Sequence, residues 1–528
     1  MTPRSRASAA LAVGLCGLVG CGRPAPAPDH LTVAIAVSPN NLDPRVGSDE
    51  ASQRVHNLVY NSLVNLDGSL HVVPELAERL DLVDPTTYRV TLRRGVRFHD
   101  GRELSADDVV YTFTTLVDPS FVSPRRGAYS LLDHVTAVDR WTVDFHLKTP
   151  FASFPINLVM GIVPAGATNL AAEPNGTGPY RVVRFQPDAS VELIRHEAYF
   201  DTPARVEHLT LKVVPDNTML ALELLNRTAD LVVNDLAPDL VDELRREPRL
   251  AVVTSPGIDY AYVGINLRDP VLSDVRVRRA LALGIDRHAI VEHLRRGLAV
   301  ESHGILPPQS WAALDHARPV SRDVEAARRL LDEAGWPDPD GRGPASRLTL
   351  TLKVSNAEFP RLQAAVLQAE LREIGVALDV RTFEFSTLYA DVLRGRFQLF
   401  ALQWVGVSDP DMLRRVFHSS QMPPLGFNRG FYENPSVDAL LDRAAATADE
   451  EARRELYAEV QRVLAVDTPY LDLWHKTNVV VARRELGGID VPVTASFSFL
   501  KNVTWDATTD RTTTSSRHPA SSQVGGPP

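Results

Sequence analysis

Between Tyr88 and Phe113 the chain passes through three local patterns in succession. Tyr88, Val90 and Leu92 alternate with Arg89, Thr91 and Arg93, the period-two pattern of a half-buried strand. Arg94-Gly95 turns the chain toward a second short strand holding Val96 and Phe98, and His99-Asp100-Gly101 closes it. Ser105 with Asp108 three residues later reads as a capping box. It opens a helix whose apolar residues Val109, Val110, Phe113 and Leu116 recur at helical spacing.

The middle of the chain alternates between the two periods. Leu209 to Pro215 reads as a strand, Asn217 to Leu225 as a helix, Asp230 to Val233 as a strand and Leu240 to Leu244 as a helix. The same order returns later: strand Leu348 to Val354, helix Arg361 to Ile374 stopped by Gly375, strand Val376 to Thr382, helix Thr387 to Arg394 and strand Phe397 to Trp404. Two separate parallel-sheet units predict an α/β protein of two lobes. In such sheets a ligand crevice lies outside the carboxyl ends of the strands. Those ends are Ser38 to Leu42 after the opening strand Leu31 to Val37, Asn234-Asp235, Ser355-Asn356 and Val405 to Asp411. The chain is expected to cross between lobes near Tyr262 to Arg268 and to return near Leu473 to Val481.

The first residues change the picture from an ordinary soluble protein to an exported one. Arg4 and Arg6 precede an apolar stretch, Ala7 to Val19, too short for the roughly 20 residues of a bilayer-spanning helix. Residues 1–20 read as a signal peptide, Leu18-Val19-Gly20-Cys21 as a lipoprotein cleavage site, and Cys21 as the lipidated residue. Residues 21–28 form a proline-rich tether. Cys16 is the only other cysteine and leaves with the signal peptide, so disulfides, thiolate catalysis and cysteine-ligated metals are excluded. A formal net charge of -10, with no basic stripe, argues against nucleic acid as a partner. Residues 508–528, rich in Thr, Ser, Pro and Gly, are expected to be a disordered tail.

The wording of Tyr88 to Phe113 closely resembles the signature of the family 5 extracellular solute-binding proteins, the peptide, nickel and oligosaccharide receptors of bacterial ABC importers. The resemblance continues through NNLDP (Asn40 to Pro44), VVPELAERL (Val72 to Leu80), GTGPY (Gly176 to Tyr180), LSDVRVRRALALGIDR (Leu272 to Arg287), AARRLLDEAGW (Ala326 to Trp336), WVGVSDPD (Trp404 to Asp411) and FYENPSVDALL (Phe431 to Leu441). It implies a two-lobed periplasmic-binding-protein-like fold of the type II, large peptide-receptor class. Lobe I would comprise 29–50, 170–267 and 479–507, with an extra α+β domain, 51–169, inserted in it, and lobe II 268–478. It also implies a monomeric receptor that hands a small solute, an oligopeptide first, to ABC permease subunits. An oligosaccharide or a nickel or metallophore complex is the alternative cargo, and a hydrolase or transferase on a similar scaffold the alternative class.

Searching for chemistry turns up no Walker loop, HExxH, Gly-x-Ser-x-Gly elbow or DxDxDG loop. No catalytic residue, cofactor or metal site is therefore expected, and His99 reads as part of a turn. In peptide-binding relatives, an aspartate three residues after the tryptophan of the ligand loop pairs with the peptide α-amine. Here Val407 stands at that place, and Asp409 fits the following Asp-Pro turn better. An arginine that holds the carboxylate in a dipeptide-binding relative is matched by Val354, Ser355 and Asn356. Restoring a carboxylate at Val407 is accordingly expected to raise affinity for short peptides with a free amine. The candidate ligand contacts are Ser38, Asn41, Tyr262, Asn266, Asn356, Trp404, Ser408 and Asp409, a set of aromatic faces and mostly neutral hydrogen-bonding groups.

Overall fold

The computed structural model describes residues 29–314, 320–341 and 343–505, so the leader, Cys21, the tether and the C-terminal tail lie outside the described residues. An eleven-stranded sheet organises the molecule. Its path runs Val376–Phe383, Leu348–Ser355, Leu399–Trp404, Leu250–Ile265, Tyr470–Arg483, Leu231–Val233, His30–Ile35, His208–Val213, Ser190–Arg195 and Tyr180–Gln186, with Ala299–Glu301 paired to Tyr470–Arg483. The two parallel units predicted from periodicity are its two halves. In one, His30–Ile35 lies parallel to both His208–Val213 and Leu231–Val233; in the other, Leu348–Ser355 lies parallel to both Val376–Phe383 and Leu399–Trp404.

Two antiparallel strands join the halves. Leu250–Ile265 has 16 residues and Tyr470–Arg483 has 14, against about 5–6 for an ordinary strand. They pair from Leu250 with Arg483 to Gly264 with Tyr470, and the register shifts between Pro256 and Tyr260. Ahead of that shift Tyr470–Arg483 has Leu231–Val233 on its other side; beyond it, Leu399–Trp404 joins Leu250–Ile265. Each half packs its own core, around Val33, Leu209 and Leu231 in one and around Leu350, Leu399 and Leu473 in the other. The expected crossing at Tyr262 to Arg268 therefore differs from the observed irregularity at Pro256–Tyr260, and Tyr262 already pairs with Leu402. Ser255-Pro256-Gly257, a turn-forming run inside the long strand, marks the place in the sequence.

The signature segment belongs to a separate four-stranded antiparallel sheet, in the order Ala77–Asp84, Thr87–Leu92, Thr142–Leu147, Leu132–Asp139. The helix Ala106–Val117 packs Val109, Phe113 and Leu116 against Val90 and Phe145. The capping box is present: the Asp108 carboxylate accepts from the Ser105 N–H at 2.8 Å, and also from Ala165 N–H at 2.8 Å and from Arg102. The expected second strand at Val96 and Phe98 does not form. The turn at Gly101 (φ +88°) brings the chain back so soon that the ladder has room for one bridge, Arg97 with Glu103.

The GTGPY segment explains its own glycines. A Cβ on Gly176 would stand 2.0 Å from the carbonyl oxygen of Val59, and one on Gly178 would stand 2.4 Å from that of Leu58. Main chain lies directly on main chain there, and Gly178 N–H donates to Val59 at 2.8 Å. His99 completes the joint. Its Nε2–H donates to the Gly178 carbonyl at 3.1 Å and its Nδ1 accepts from Gly176 N–H at 3.3 Å, while burial lowers its pKa to about 4. Both ring nitrogens are thus used for structure in the neutral form.

Candidate functional site

Strand direction brings the loops of both halves to one junction. Trp404 pairs with Tyr260, next to the register shift, so the carboxyl end of Leu399–Trp404 and of its parallel neighbours points toward the other half. Val233 pairs with Val480 and Asn234 N–H donates to Val479, so the carboxyl ends of Leu231–Val233 and His30–Ile35 point back. Val37 on one side and Phe385 and Val405 on the other, all more than half exposed, lie on facing loop ends. Apolar side chains left in water at facing strand ends are what a ligand would cover.

Trp404 sits at the centre of the second face. Alternate residues of a strand share a side, which sets Tyr260 and Tyr262 in one row. Tyr262 stacks on Tyr470 at 4.3 Å, on Tyr260 at 5.5 Å and on Trp404 at 6.2 Å, and Phe427 meets Trp404 edge-on at 5.6 Å. Gly264 makes the row possible, because a Cβ there would lie 2.2 Å from the ring of Phe400, its cross-strand partner. The guanidinium of Arg429 lies 4.3 Å from the Trp404 ring and donates to the hydroxyls of Tyr262 (3.3 Å) and Tyr389 (3.0 Å).

The loop after Trp404 is tied to the junction between the halves. The Asp259 carboxylate accepts from Gly406 N–H and from Gln403 Nε2, both at 3.0 Å, and Val407 N–H donates to the Ile258 carbonyl at 2.9 Å. Burial holds the Asp259 carboxyl above its usual pKa range. Gly406 has φ +70°, a conformation that favours glycine. Val407 turns inward: it is 2 % exposed, in a core with Trp404 and Leu413.

The expected contacts divide by position. Trp404, Ser408, Asn356 and Ser38 lie at strand ends facing the junction; Ser38 Oγ accepts from Asp188 N–H. Asn41 folds its own turn, its Oδ1 accepting from Asp43 N–H at 2.8 Å. Tyr262 is fully buried beneath Trp404 and presents no surface. Asn266 does not join the others. It follows Ile265, which pairs with Leu399 at the far end of the strand from Trp404, and its side-chain N–H groups donate to the carbonyls of Phe397 and Gly395. The strand Leu250–Ile265 runs away from the junction, so residues beyond Tyr262 lead away from it.

Asp409 turns toward Ser153 and Arg453. Its carboxylate accepts from Asp411 N–H at 2.8 Å, and nearby Arg453 reaches across to Ser153 Oγ at 2.6 Å. Burial and the neighbouring Asp409 push the Asp411 carboxyl up to about 7. The residues that sequence reasoning misses are Asp259, which the Pro256-Gly257 interruption just before it could have signalled, and Phe385, Phe427 and Arg429. Among the described residues no group of three or more His, Cys, Asp or Glu is placed to hold a metal ion, and no helix is long and apolar enough to cross a membrane.

Two α/β halves on a shared pair of strands, with ligand loops converging on their junction, define a two-lobed periplasmic-binding-protein-type receptor. A family model, that of the bacterial extracellular solute-binding proteins, family 5 Middle, matches residues 71–423, and the chain belongs to that family. The oligopeptide-binding protein AppA of Bacillus subtilis is 27 % identical over 487 residues, covering 87 % of this chain and 88 % of that one. The ABC transporter substrate binding protein CtaP of Listeria monocytogenes superposes with a TM-score of 0.80 at 26 % identity, over 90 % of this chain and 99 % of that one. NikZ of Campylobacter jejuni, solved with Ni(L-His), gives 0.75 at 25 % identity, over 90 % and 100 %.

Proposed function

We propose that this chain is the substrate-binding component of an ABC importer, and that it captures an oligopeptide between its lobes and delivers it unaltered to the permease. The observation that carries the peptide reading is the loop Val405 to Ser408. Its backbone is held to the junction by Asp259 and Ile258, its Val407 side chain is buried, and Trp404 packs at its base. A cleft edge of main-chain and neutral groups beside aromatic faces suits an extended peptide bound through its backbone, with side chains entering tolerant pockets. Likeness to an oligopeptide-binding protein supports the same reading.

The lobes divide, in this reading, at Pro256–Tyr260 and at the facing residues of Tyr470–Arg483, and ligand bridging them favours the closed form by its differential affinity. Ser38, Asn356, Trp404 and Ser408 are the proposed ligand contacts. Export, lipidation at Cys21 and action as a monomer complete the proposal. Native mass spectrometry of protein taken directly from its host tests it. A retained peptide, and a raised melting temperature with peptide mixtures whose masses stay unchanged, are expected. Turnover of peptides or glycans would overturn it in favour of an enzyme.

A further inference from the structure

Arg429 is a buried cation with no counter-charge among the described residues. The residue is 4 % exposed, and its guanidinium is enclosed by the rings of Trp404 (4.3 Å), Tyr389 (5.0 Å) and Phe427 (5.5 Å). Two nitrogens donate to neutral phenols, those of Tyr262 and Tyr389. Nε has no hydrogen-bond partner among the described residues, and no carboxylate among them pairs with the group.

Other buried arginines are answered differently. Arg54 and Arg483 meet carboxylates, of Asp235 and Asp230, and Arg278 and Arg287 meet main-chain carbonyls. Trp404 Nε1 and the Tyr470 hydroxyl lie in the same ring stack, where the Tyr470 and Tyr262 hydroxyls serve each other and the indole N–H. Arginine and tryptophan side chains can only donate. A guanidinium whose Nε has no acceptor among the described residues, and whose other nitrogens meet only neutral phenols, describes a site short of an anion, and a desolvated guanidinium without one is costly.

The aromatic cluster around Arg429 reaches the surface at two rings. Phe385, which starts the helix after Val376–Phe383 and stacks on Tyr389 at 6.0 Å, is 54 % exposed, and Phe427 is 39 % exposed. An apolar side chain would cover these faces while an attached carboxylate reached the guanidinium, whose planar fork suits it.

Resting on the peptide reading above, we propose that Arg429 is the anchor for a carboxylate of the bound peptide, replacing an anchor at Val354 to Asn356. The chain then fixes the acidic end of its ligand through the segment after Leu425, and leaves the amino end without a charged partner.

Three pools of N-acetylated pentapeptides test this with the purified full chain by native mass spectrometry: free acids without Asp or Glu, the same sequences as C-terminal amides, and amides containing one Glu. Retention of the free acids over the plain amides by at least about tenfold assigns the terminal carboxylate, and the same preference for the Glu-containing amides assigns a side-chain carboxylate. The preference should vanish in Arg429→Gln and weaken in Arg429→Lys, which keeps the charge but loses the fork; if the glutamine variant does not fold, the lysine variant decides. Equal retention of all pools by the unmodified chain, or a preference unchanged in these variants, overturns the anchor and leaves the peptide reading standing. Retention of no pool, with a non-peptide ligand recovered from the host protein, overturns both.

Discussion

The carboxylate of Asp259 accepts the backbone N–H of Gly406 at 3.0 Å, joining the register shift between the two halves to the loop that follows Trp404. Together with the Val407 N–H bond to the Ile258 carbonyl, this side chain ties the loop to the junction. Asp259→Ala should raise the hydrogen-exchange rate of the Gly406 amide by roughly tenfold to a hundredfold, the equivalent of about 1–3 kcal/mol. The Val407 amide, held by the Ile258 carbonyl, should stay protected. Equal loosening of both amides would show that the loop is held by something other than this carboxylate.

Val407→Asp looked, from the sequence, like a way to restore an amine anchor. With Val407 at 2 % exposure in an apolar core, the new carboxylate would be desolvated without a partner. The expected result is a loss of about 3 kcal/mol in urea unfolding, with no gain of affinity for short peptides having a free amine. A variant as stable as the parent that gains such affinity would place this side chain in the cleft.

Asp411 gives the stability curve a recognisable slope. Burial beside Asp409 pushes its carboxyl up to about 7, well above the ordinary carboxylate range, so between about pH 4 and pH 7 the folded chain holds a proton that the unfolded chain has lost. This group's contribution favours folding at the acid end and weakens as pH rises through 7. Asp411→Asn should thus raise the melting temperature at pH 8 relative to pH 5 when each is compared with the parent. Parallel melting curves for the two proteins across that range would contradict the shift.

Gly178→Ala tests the close approach of main chains under the signature turn. A Cβ 2.4 Å from the Leu58 carbonyl oxygen forces backbone to move, at a cost of about 3 kcal/mol. Gly127→Ala, where nothing lies within 4 Å, should change stability by less than about 1 kcal/mol. Equal melts for the two variants would mean that the GTGPY loop can shift freely.

Cys21→Ser should release the protein from membranes into the soluble fraction while leaving its melting temperature unchanged, because lipid is the proposed attachment. Fractionation of cells expressing both forms reads this directly, and membrane retention of the variant would refute lipidation.

Local rules carried much of the fold. Period-two and helical runs located both parallel units, and the Ser105–Asp108 box appears where its spacing indicated. Position along a strand was harder to read. Asn266 looked like a crossing residue because it ends an apolar run, yet that run leads away from the junction. Alternation likewise cannot tell which residues of a four-residue loop turn inward, so Val407 read as standing at the ligand-anchor position and proved to be core. Arg429 was illegible for a different reason: it reaches Trp404 from a later loop, and only tertiary packing brings the two together.

The pairing of Leu250–Ile265 with Tyr470–Arg483 across both halves has a mechanical consequence. A narrow ribbon of strands, here edged by Ala299–Glu301, is stiff in its own plane and compliant perpendicular to it, as a leaf spring is. Its soft point is the shift at Pro256–Tyr260, where the ladder is interrupted and local bending is easiest. If the proposed closure bends there, such a spring would give the lobes one easy direction of travel and resist sideways shear, returning Trp404 and Val37 to the same alignment each time.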